Sequence, residues 1–340
     1  MKHTKYILFF LLFMLSLATK AQLRVVDADS MTPVDFASVF DNESGKLVGL
    51  TDADGKLPAA AAACKTISIQ HINYGNAQFN ISEVSDNTLK MKAVVYKIPE
   101  VTVENKNASK IRIKTYVRQY SLLNGFPANV SEYNCYLYFD KKKPETYPKC
   151  KIISAKLLEN KKALEGQSFV LKTFAENNLP TYLTRWNMYD MYDELKGEKR
   201  NVVTYKDKKV NVFYMKENNN TDECKIVADS GFVEKHLNIP LLGFSVANLY
   251  EADTYSTKYG KPLLTGILNK TAMYRIIHNK SKGFVDVVTE FYIQGADYLT
   301  KEEYQEDKKK GYIAFVRPEG VPPFNPNIEK AMQTMTIKGR

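Results

Sequence analysis

From Leu23 to Val103 apolar residues come in short runs broken by turn chemistry: Leu23 to Val26, Val34 to Phe40, Leu47 to Thr51, Thr66 to Ile72, Ala77 to Ile81, Thr88 to Ala93 and Val101 to Val103. Ile67 and Ile69 alternate with polar neighbours, which gives one buried and one wetted face. Between the runs stand Asn42-Glu43-Ser44-Gly45 and Asp52-Ala53-Asp54-Gly55. Asn, Asp and Gly tolerate the backbone angles of tight turns or hydrogen-bond locally to them. Seven short strands in about 80 residues predict a β-sandwich.

The pattern changes after the polar stretch 105–110, which reads as a linker. Ile111 and Ile113, then Cys135, Leu137 and Phe139 opposed by Tyr136 and Tyr138, then Val210 and Val212, then Val285, Val287, Phe291 and Ile293 keep a period of two. Ala272–His278 and Phe284–Ile293 flank a polar loop over 279–283 and predict a β-hairpin. Helices have separate signals. Thr300-Lys301-Glu302-Glu303 is a capping box opening a helix to about Lys309. Asn325-Pro326 supplies an N-cap and first-turn proline for a helix presenting Ile328, Ala331, Met332 and Met335. Trp186, Tyr189 and Tyr192 with Met188, Met191 and Leu195 repeat at helical spacing over 184–196. The fold class expected is mainly β: a seven-stranded N-terminal sandwich over 22–104, then an α+β domain over 111–340 built on a large antiparallel sheet with a few peripheral helices.

The first region resembles a known family. Val26-Asp27 with Thr32-Pro33-Val34, Phe36-Ala37-Ser38-Val39, Thr51-Asp52-Ala53-Asp54-Gly55-Lys56, Ile67-Ser68-Ile69 and Tyr74-Gly75 are similar to the carboxypeptidase regulatory-like domain, a transthyretin-like β-sandwich. Ile98-Pro99-Glu100-Val101-Thr102-Val103 looks like the strand with which that domain hands over to its C-terminal neighbour. The resemblance covers about residues 22–105 and departs from the family at Leu57-Pro58, where an aromatic is usual, and at the alanine run Ala59 to Ala63. It implies an exported envelope protein, since the family stands at the N-terminus of outer-membrane transporters and related proteins of Gram-negative cells.

Composition and charge agree with export. Of 340 residues 44% are apolar and 12% aromatic, enough to bury a core and to exclude a disordered chain. Lys2 and Lys5 precede an uncharged run from Tyr6 to Leu17, followed by Ala18-Thr19-Lys20-Ala21. This is the pattern of a secretory signal peptide over 1–21; the run is too short to span a bilayer, and no later stretch is long and apolar enough to form a transmembrane helix. The expected location is the periplasm or the outer-membrane periphery. The net charge of +10 is carried by scattered lysines, with short runs at Lys141-Lys142-Lys143 and Lys308-Lys309-Lys310, which excludes a nucleic-acid surface but leaves attraction to anionic membranes or acidic glycans open.

Candidate chemistry is sparse. The mature histidines His71, His236 and His278 form no zinc-peptidase pattern, and Asp52-x-Asp54-Gly55 lacks the further ligands of a calcium loop. Gly243-Phe244-Ser245-Val246-Ala247 lacks the last glycine of a nucleophile elbow. Glycine-rich phosphate loops and dinucleotide fingerprints are missing. No catalytic, metal or cofactor-binding residue is assigned, and no cofactor is implied. Asp190, Asp193 and Glu194 near Trp186 fit either a solvated helix face or the paired carboxylates of a glycan hydrolase. Cys135 and Cys150 lie equidistant from the turn around Lys142-Lys143-Pro144, so they fit either a cross-strand disulfide or two buried free thiols. Trp186, Tyr189, Tyr192, Tyr136 and Tyr138 are the candidate ligand surface. The function expected is a non-enzymatic envelope binding or interaction protein, associated with an outer-membrane transport system, with an envelope protein, an apolar ligand or a glycan as partner. The alternatives are a carboxylate glycan hydrolase and a lipid-carrying half-barrel.

Overall fold

The computed structural model describes residues 22–94, 105–176, 186–197, 201–205, 208–218, 222–229, 243–258 and 260–338. The expected leader over 1–21, the hand-over strand Val101–Val103, His236 and the first two residues of the 184–196 helix lie outside them. The chain divides into two compact units after Val94.

In the first unit β1 (Arg24–Asp27) pairs in parallel with β6 (Thr88–Met91), while β2 (Ser38–Asp41), β3 (Leu47–Leu50), β4 (Thr66–His71) and β5 (Tyr74–Asn80) form a second sheet in the order β3-β2-β4-β5. Val25, Leu89 and Met91 from one sheet meet Val39, Ile67 and Ile69 from the other in a single core. These are six of the seven expected strands; the seventh falls outside the described residues. The alanine run forms a 3-10 helix, Ala59–Ala63, with Ala61 buried. The Asp52–Gly55 turn is closed by its own aspartate, whose Oδ1 accepts from the backbone amides of Asp54 and Lys56 at 2.9 and 2.8 Å. Gly55 has φ +76°, and a Cβ there would sit 2.4 Å from the Val25 carbonyl oxygen, so glycine is required for this turn to press against β1.

The second unit is built on one ten-stranded antiparallel sheet. Its strands are β7 (Lys110–Leu123), β8 (Phe126–Asp140), β9 (Lys149–Glu159), β10 (Asn201–Tyr205), β11 (Lys208–Asn218), β12 (Glu223–Asp229), β13 (Phe244–Ser256), β14 (Ile267–His278), β15 (Gly283–Leu299) and β16 (Thr336–Ile337). The order is β10-β11-β12-β13-β14-β15-β7-β8-β9-β16. The chain thus starts mid-sheet, runs outward through β9, resumes at the opposite edge and returns to lay β15 against β7. The expected linker 105–110 is tied into this unit: the Ser109 amide bonds to the Leu299 carbonyl, and Lys141 Nζ to the Asn105 carbonyl. β7 and β8 are joined by Asn124-Gly125, both at positive φ (52° and 90°), the backbone a two-residue hairpin needs. In the β14–β15 hairpin His278 pairs with Gly283, so the loop is one residue shorter than expected.

Alternation sends the two faces to different partners. On one face Ile113, Val117, Leu137, Phe139, Phe291 and Ile226 form an apolar cluster roofed by Trp186, Met188, Met191 and Leu195. These four lie on a 3-10 turn (Met188–Met191), on the short helix Tyr192–Gly197 that follows it, and just before them. Nearer the Asn124-Gly125 end, Leu123, Phe244, Ile276, Val285 and Val287 form a second cluster against Leu164 of α1 (Lys161–Leu164) and Leu171 and Ala175 of α2 (Phe169–Glu176); α3 is Tyr192–Gly197. Between the clusters runs a buried polar belt of Gln119, Ser121, Asn129, Ser131 and Thr289. Gln119 Nε2 donates to Thr289 Oγ1 at 2.9 Å, and Ser121 Oγ donates to the Ala175 carbonyl at 2.7 Å, fastening α2 to the sheet.

The other face is charged, and the C-terminal segment covers it. After α4 (Lys301–Lys309), which carries both hydrogen bonds of the expected capping box, an irregular strap over 311–325 crosses the sheet to α5 (Pro326–Met332), opened by Asn325 as expected. Fully buried Arg118 forms an ion pair with Glu290, donates to the Pro322 and Pro323 carbonyls at 2.8 and 3.3 Å, and lies between the rings of Tyr292 and Phe324. Glu132 accepts from Tyr116 Oη at 2.6 Å and from Arg317 Nε at 2.7 Å. Asp307 of α4 accepts from Arg112 at 2.6 Å and Tyr138 Oη at 2.7 Å, with Lys310 Nζ at 2.9 Å.

Removing one member of a buried pair leaves the other charge uncompensated, which costs about 3–5 kcal/mol. Arg118→Met is therefore expected to lower the unfolding free energy of the second unit by that amount, read as a lower urea midpoint in Trp186 fluorescence, and Arg118→Met with Glu290→Leu to recover much of the loss. A second expectation concerns pH. Burial pushes the Asp307 carboxyl up, but the Lys310, Tyr138 and Arg112 contacts outweigh it and hold it at about 2, below the ordinary 3.8. A carboxyl depressed in the folded state contributes stability above its unfolded pKa and loses it as pH falls toward the folded one. Asp307→Asn should accordingly flatten the acid limb of the stability–pH curve between about pH 4 and pH 2, measured by urea titration across that window.

Candidate functional site

A cleft of about 450 Å³ lies at one end of the second unit's sheet and is lined by Tyr192, Asp193, Lys196, Glu217, Glu223, Thr257, Gly260 and Lys261. Tyr192, Asp193 and Lys196 share a face of α3 because residues three and four apart on a helix are neighbours. Glu217 and Glu223 stand near the ends of β11 and β12, where those strands pair as a hairpin. The loop after β13 is pinned by the Thr257 amide bonding to the Asp222 carbonyl at 2.7 Å and by the Gly260 amide bonding to the Thr257 carbonyl at 2.9 Å. Gly260 takes φ +104°, which bends the loop back toward the helix. An ion pair of Lys261 with Asp193 ties loop to helix.

The lining is polar and of mixed charge. Lys196 Nζ lies 5.4 Å from the centre of the Tyr192 ring and donates to its hydroxyl at 3.3 Å, and that hydroxyl donates to Glu217 Oε1 at 3.4 Å. The tyrosine contact raises the Lys196 ammonium above its ordinary range. Three carboxylates, two ammonium groups and a phenol offer both acceptors and donors within one opening, which is the equipment for holding a molecule rich in hydroxyl or amide groups.

The candidate residues from the sequence are divided by the fold. Trp186 is 2% exposed and packs edge-on against Phe139 and Phe291, at 5.7 and 4.9 Å between ring centres. Lys270 Nζ, itself fully buried and 2.7 Å from Asp253 Oδ1, sits 5.3 Å from the Trp186 ring. Tyr189 is half-buried against Tyr255. Tyr136 and Tyr138 occupy the opposite face of the sheet, Tyr138 beneath Tyr304 of α4. Only Tyr192 of the five borders the cleft. Of the three acids, Asp193 lines it; Asp190 accepts from Asn187 Nδ2 at 2.7 Å and, with Glu194, stands outside the lining. Ser245 lies within β13 opposite Ile277, away from any strand-to-helix turn. His71 Nδ1 accepts from the Asn73 amide in a turn, and His278 Nδ1 meets Ser281 Oγ at 2.6 Å in the β14–β15 loop.

Cys135 and Cys150 do not face each other. Cys135 pairs with Ile152 and Cys150 with Leu137, and a bulge beyond them, beside Asn134, leaves Ile153 of β9 without an opposite residue. Equidistance put the centre of the turn between Lys142 and Lys143; the unbroken ladder from Tyr138–Lys149 to Cys135–Ile152 is centred one residue later, between Lys143 and Pro144, which leaves the two cysteines at diagonal positions on one face. Both are free thiols, Cys135 buried and Cys150 exposed. A hydrogen bond between them, together with burial of Cys135, raises the Cys135 thiol and lowers that of Cys150. Burial pushes the Cys224 thiol up to about 12.

Sequence reading passed over Glu217, Glu223, Thr257 and Lys261. A usable signal was present: Glu217 and Glu223 bracket Asn218-Asn219-Asn220-Thr221-Asp222, a turn-forming run that puts both glutamates at the mouth of a hairpin. Nothing local connects that hairpin to α3 or to Lys261.

No family model matches the chain, and no curated protein matches it. Among solved structures, one of lipid–protein interactions in lipovitellin is similar at 8% identity and a TM-score of 0.28, over 57% of this chain and 26% of that one. The isotype 1 transferrin-binding protein B of Neisseria meningitidis serogroup B is similar at 10% identity and a TM-score of 0.16, over 78% and 37%. The chain thus spans less than half the length of either, and likenesses this remote carry no argument about its activity.

Thiolates, not thiols, react with alkylating agents. In reduced, folded protein Cys150 is expected to take up iodoacetamide first, ahead of Cys64, whose thiol burial and the nearby Asp41 and Glu43 raise; Cys135 and Cys224 should label only after denaturation. Peptide mass mapping over a labelling time course checks the order.

Proposed function

We propose that the chain is an exported protein of the cell envelope that acts by binding, without a reaction of its own. In this reading its first unit is a carboxypeptidase regulatory-like interaction module and its second unit holds the ligand. The order of turn and strand motifs from Val26 to Gly75, and the two sheets sharing one core, support the first half. The leader-like segment over 1–21 supports export.

The cleft of Tyr192, Asp193, Lys196, Glu217 and Lys261 carries the second half. Its alternation of acceptors and donors suits a short, hydroxyl-rich glycan of the envelope better than an apolar molecule. A small ligand of this kind is held by several charge-assisted hydrogen bonds rather than by apolar area. Association with an outer-membrane transport system belongs to the same proposal and falls to the first unit.

The convergence of Asp193, Glu217 and Glu223 on one opening favours a second reading, hydrolysis by paired carboxylates. One experiment separates the two. Soluble cell-wall glycan fragments are titrated into the protein by calorimetry, and the mixture is then analysed by mass spectrometry. Binding with fragment masses unchanged is expected, and Glu217→Gln and Asp193→Asn should each weaken it by roughly tenfold, the equivalent of one charged hydrogen bond. Shortened fragments would replace the binding reading with the hydrolytic one, and affinity untouched by either substitution would remove the cleft from both.

A further inference from the structure

The strap over 311–325 behaves differently along its length. Its second half is drawn into the protein, with Pro322 and Phe324 buried against Arg118. Its first half turns apolar side chains to solvent: Tyr312 is 63% exposed, Ile313 65% and Val316 70%, with Gly311 and Ala314 also exposed. This is not a loosely attached end. The Ile313 amide bonds to the Ile153 carbonyl at 3.0 Å, Asn134 Nδ2 donates to the Val316 carbonyl at 2.8 Å, and the segment is bounded by the Lys310–Asp307 and Arg317–Glu132 ion pairs. The backbone is held while the apolar side chains are presented.

Exposed lysines precede this presentation in the chain. Lys308 and Lys309 end α4 immediately before it and are exposed, and Lys149 opens β9, the strand the strap lies along. Of the acids nearby, Asp307 is buried under Arg112 and Tyr138, Glu132 lies beneath Arg317 and Glu303 sits in the capping box at the far end of α4, while Glu306 and Glu319 are exposed. Two features distinguish the fitting partner. Tyr312, Ile313 and Ala314 are exposed at consecutive positions, whereas a strand offered for pairing would present one face at every second residue. An aromatic and two branched aliphatic side chains following the exposed lysines at the end of α4 match the layered chemistry of a bilayer surface, apolar below and anionic at the headgroups. No helix among the described residues is long and apolar enough to cross a membrane, so the contact would be peripheral.

We infer that the Tyr312–Val316 strap is a membrane-contact element that seats Tyr312, Ile313 and Val316 in the interface of an anionic lipid bilayer while Lys308 and Lys309 engage the headgroups. It stands independently of the cleft and of any ligand held there.

Vesicle co-sedimentation with the full chain tests it, using phosphatidylcholine alone and phosphatidylcholine mixed with phosphatidylglycerol. Binding is expected to the mixed vesicles and not to the neutral ones, and added salt should reduce it. Tyr312→Ser/Ile313→Ser/Val316→Ser should lower partitioning by at least about tenfold. Lys308→Gln/Lys309→Gln should lower it and flatten its salt dependence. Unchanged Trp186 emission and thermal unfolding would show that both variants keep the fold. Absence of binding to the mixed vesicles, or binding that the triple serine variant leaves intact, overturns the inference. So does a concentration-dependent dimer that only the triple variant abolishes, seen by sedimentation velocity without vesicle binding, because the occupant would then be a second copy of the chain.

Discussion

The pairing of β15 with β7 is the constraint on which the second unit depends, and the buried Arg118–Glu290 ion pair lies across it. Without that ladder β7–β9 and β10–β15 would be separate sheets, each with an open edge. A guanidinium taken out of water must find acceptors for its donors or lose more free energy than its charge partner returns. Here the acceptors are Glu290 from the adjoining strand and two carbonyls of the C-terminal strap. One side chain thus joins the two halves of the sheet and fixes the path of the segment that covers them.

The two faces divide the work of the fold. The apolar clusters hold α1, α2 and the Trp186–Leu195 segment, and that segment brings Tyr192 and Asp193 over the ends of β11 and β12, where the cleft opens. The charged face is roofed by α4, the strap and α5 and laced by the ion pairs of Arg112, Arg118 and Arg317. Tyr136 and Tyr138, attractive in sequence as a ligand surface, are used to seat α4. The lysines left outside by that seating end α4, and the apolar residues left outside are those of the strap's first half.

Elements with a short-range cause were legible in the sequence. The capping box at Thr300, the Asn325-Pro326 start and the strands with clear alternation stand where periodicity and caps put them, whereas the expected 184–196 helix is, in its described residues, a 3-10 turn over Met188–Met191 followed by α3. Asn124-Gly125 between Leu123 and Phe126 was an equally plain hairpin signal that went unread beside the longer patterns. β12 and β13 were harder, because Lys225, Glu251 and Asp253 occupy strand positions that composition alone assigns to loops; they are tolerated because the sheet supplies partners, as Lys270 does for Asp253. The cysteine pairing failed because the centre of the turn lies one residue later than equidistance assumed, an offset that the run Lys141-Lys142-Lys143-Pro144 does not specify. The cleft was least legible of all: its lining comes from α3, a hairpin and a loop that only the tertiary fold brings together.

The position of β7 has a consequence for the order in which the protein can be made. Its partner β15 begins more than a hundred and fifty residues later, at Gly283, so a chain emerging from its N-terminus carries β7–β9 with one flank unfilled until nearly everything else has appeared. Closure of so long a loop is slow, and an unfilled strand flank invites wrong partners meanwhile. Residues 311–325 arrive later still, and Arg118 waits for Pro322 and Pro323 to complete its set of acceptors. Maturation of this sheet is therefore a terminal event of biosynthesis, and the window before it is when the chain most needs a chaperone.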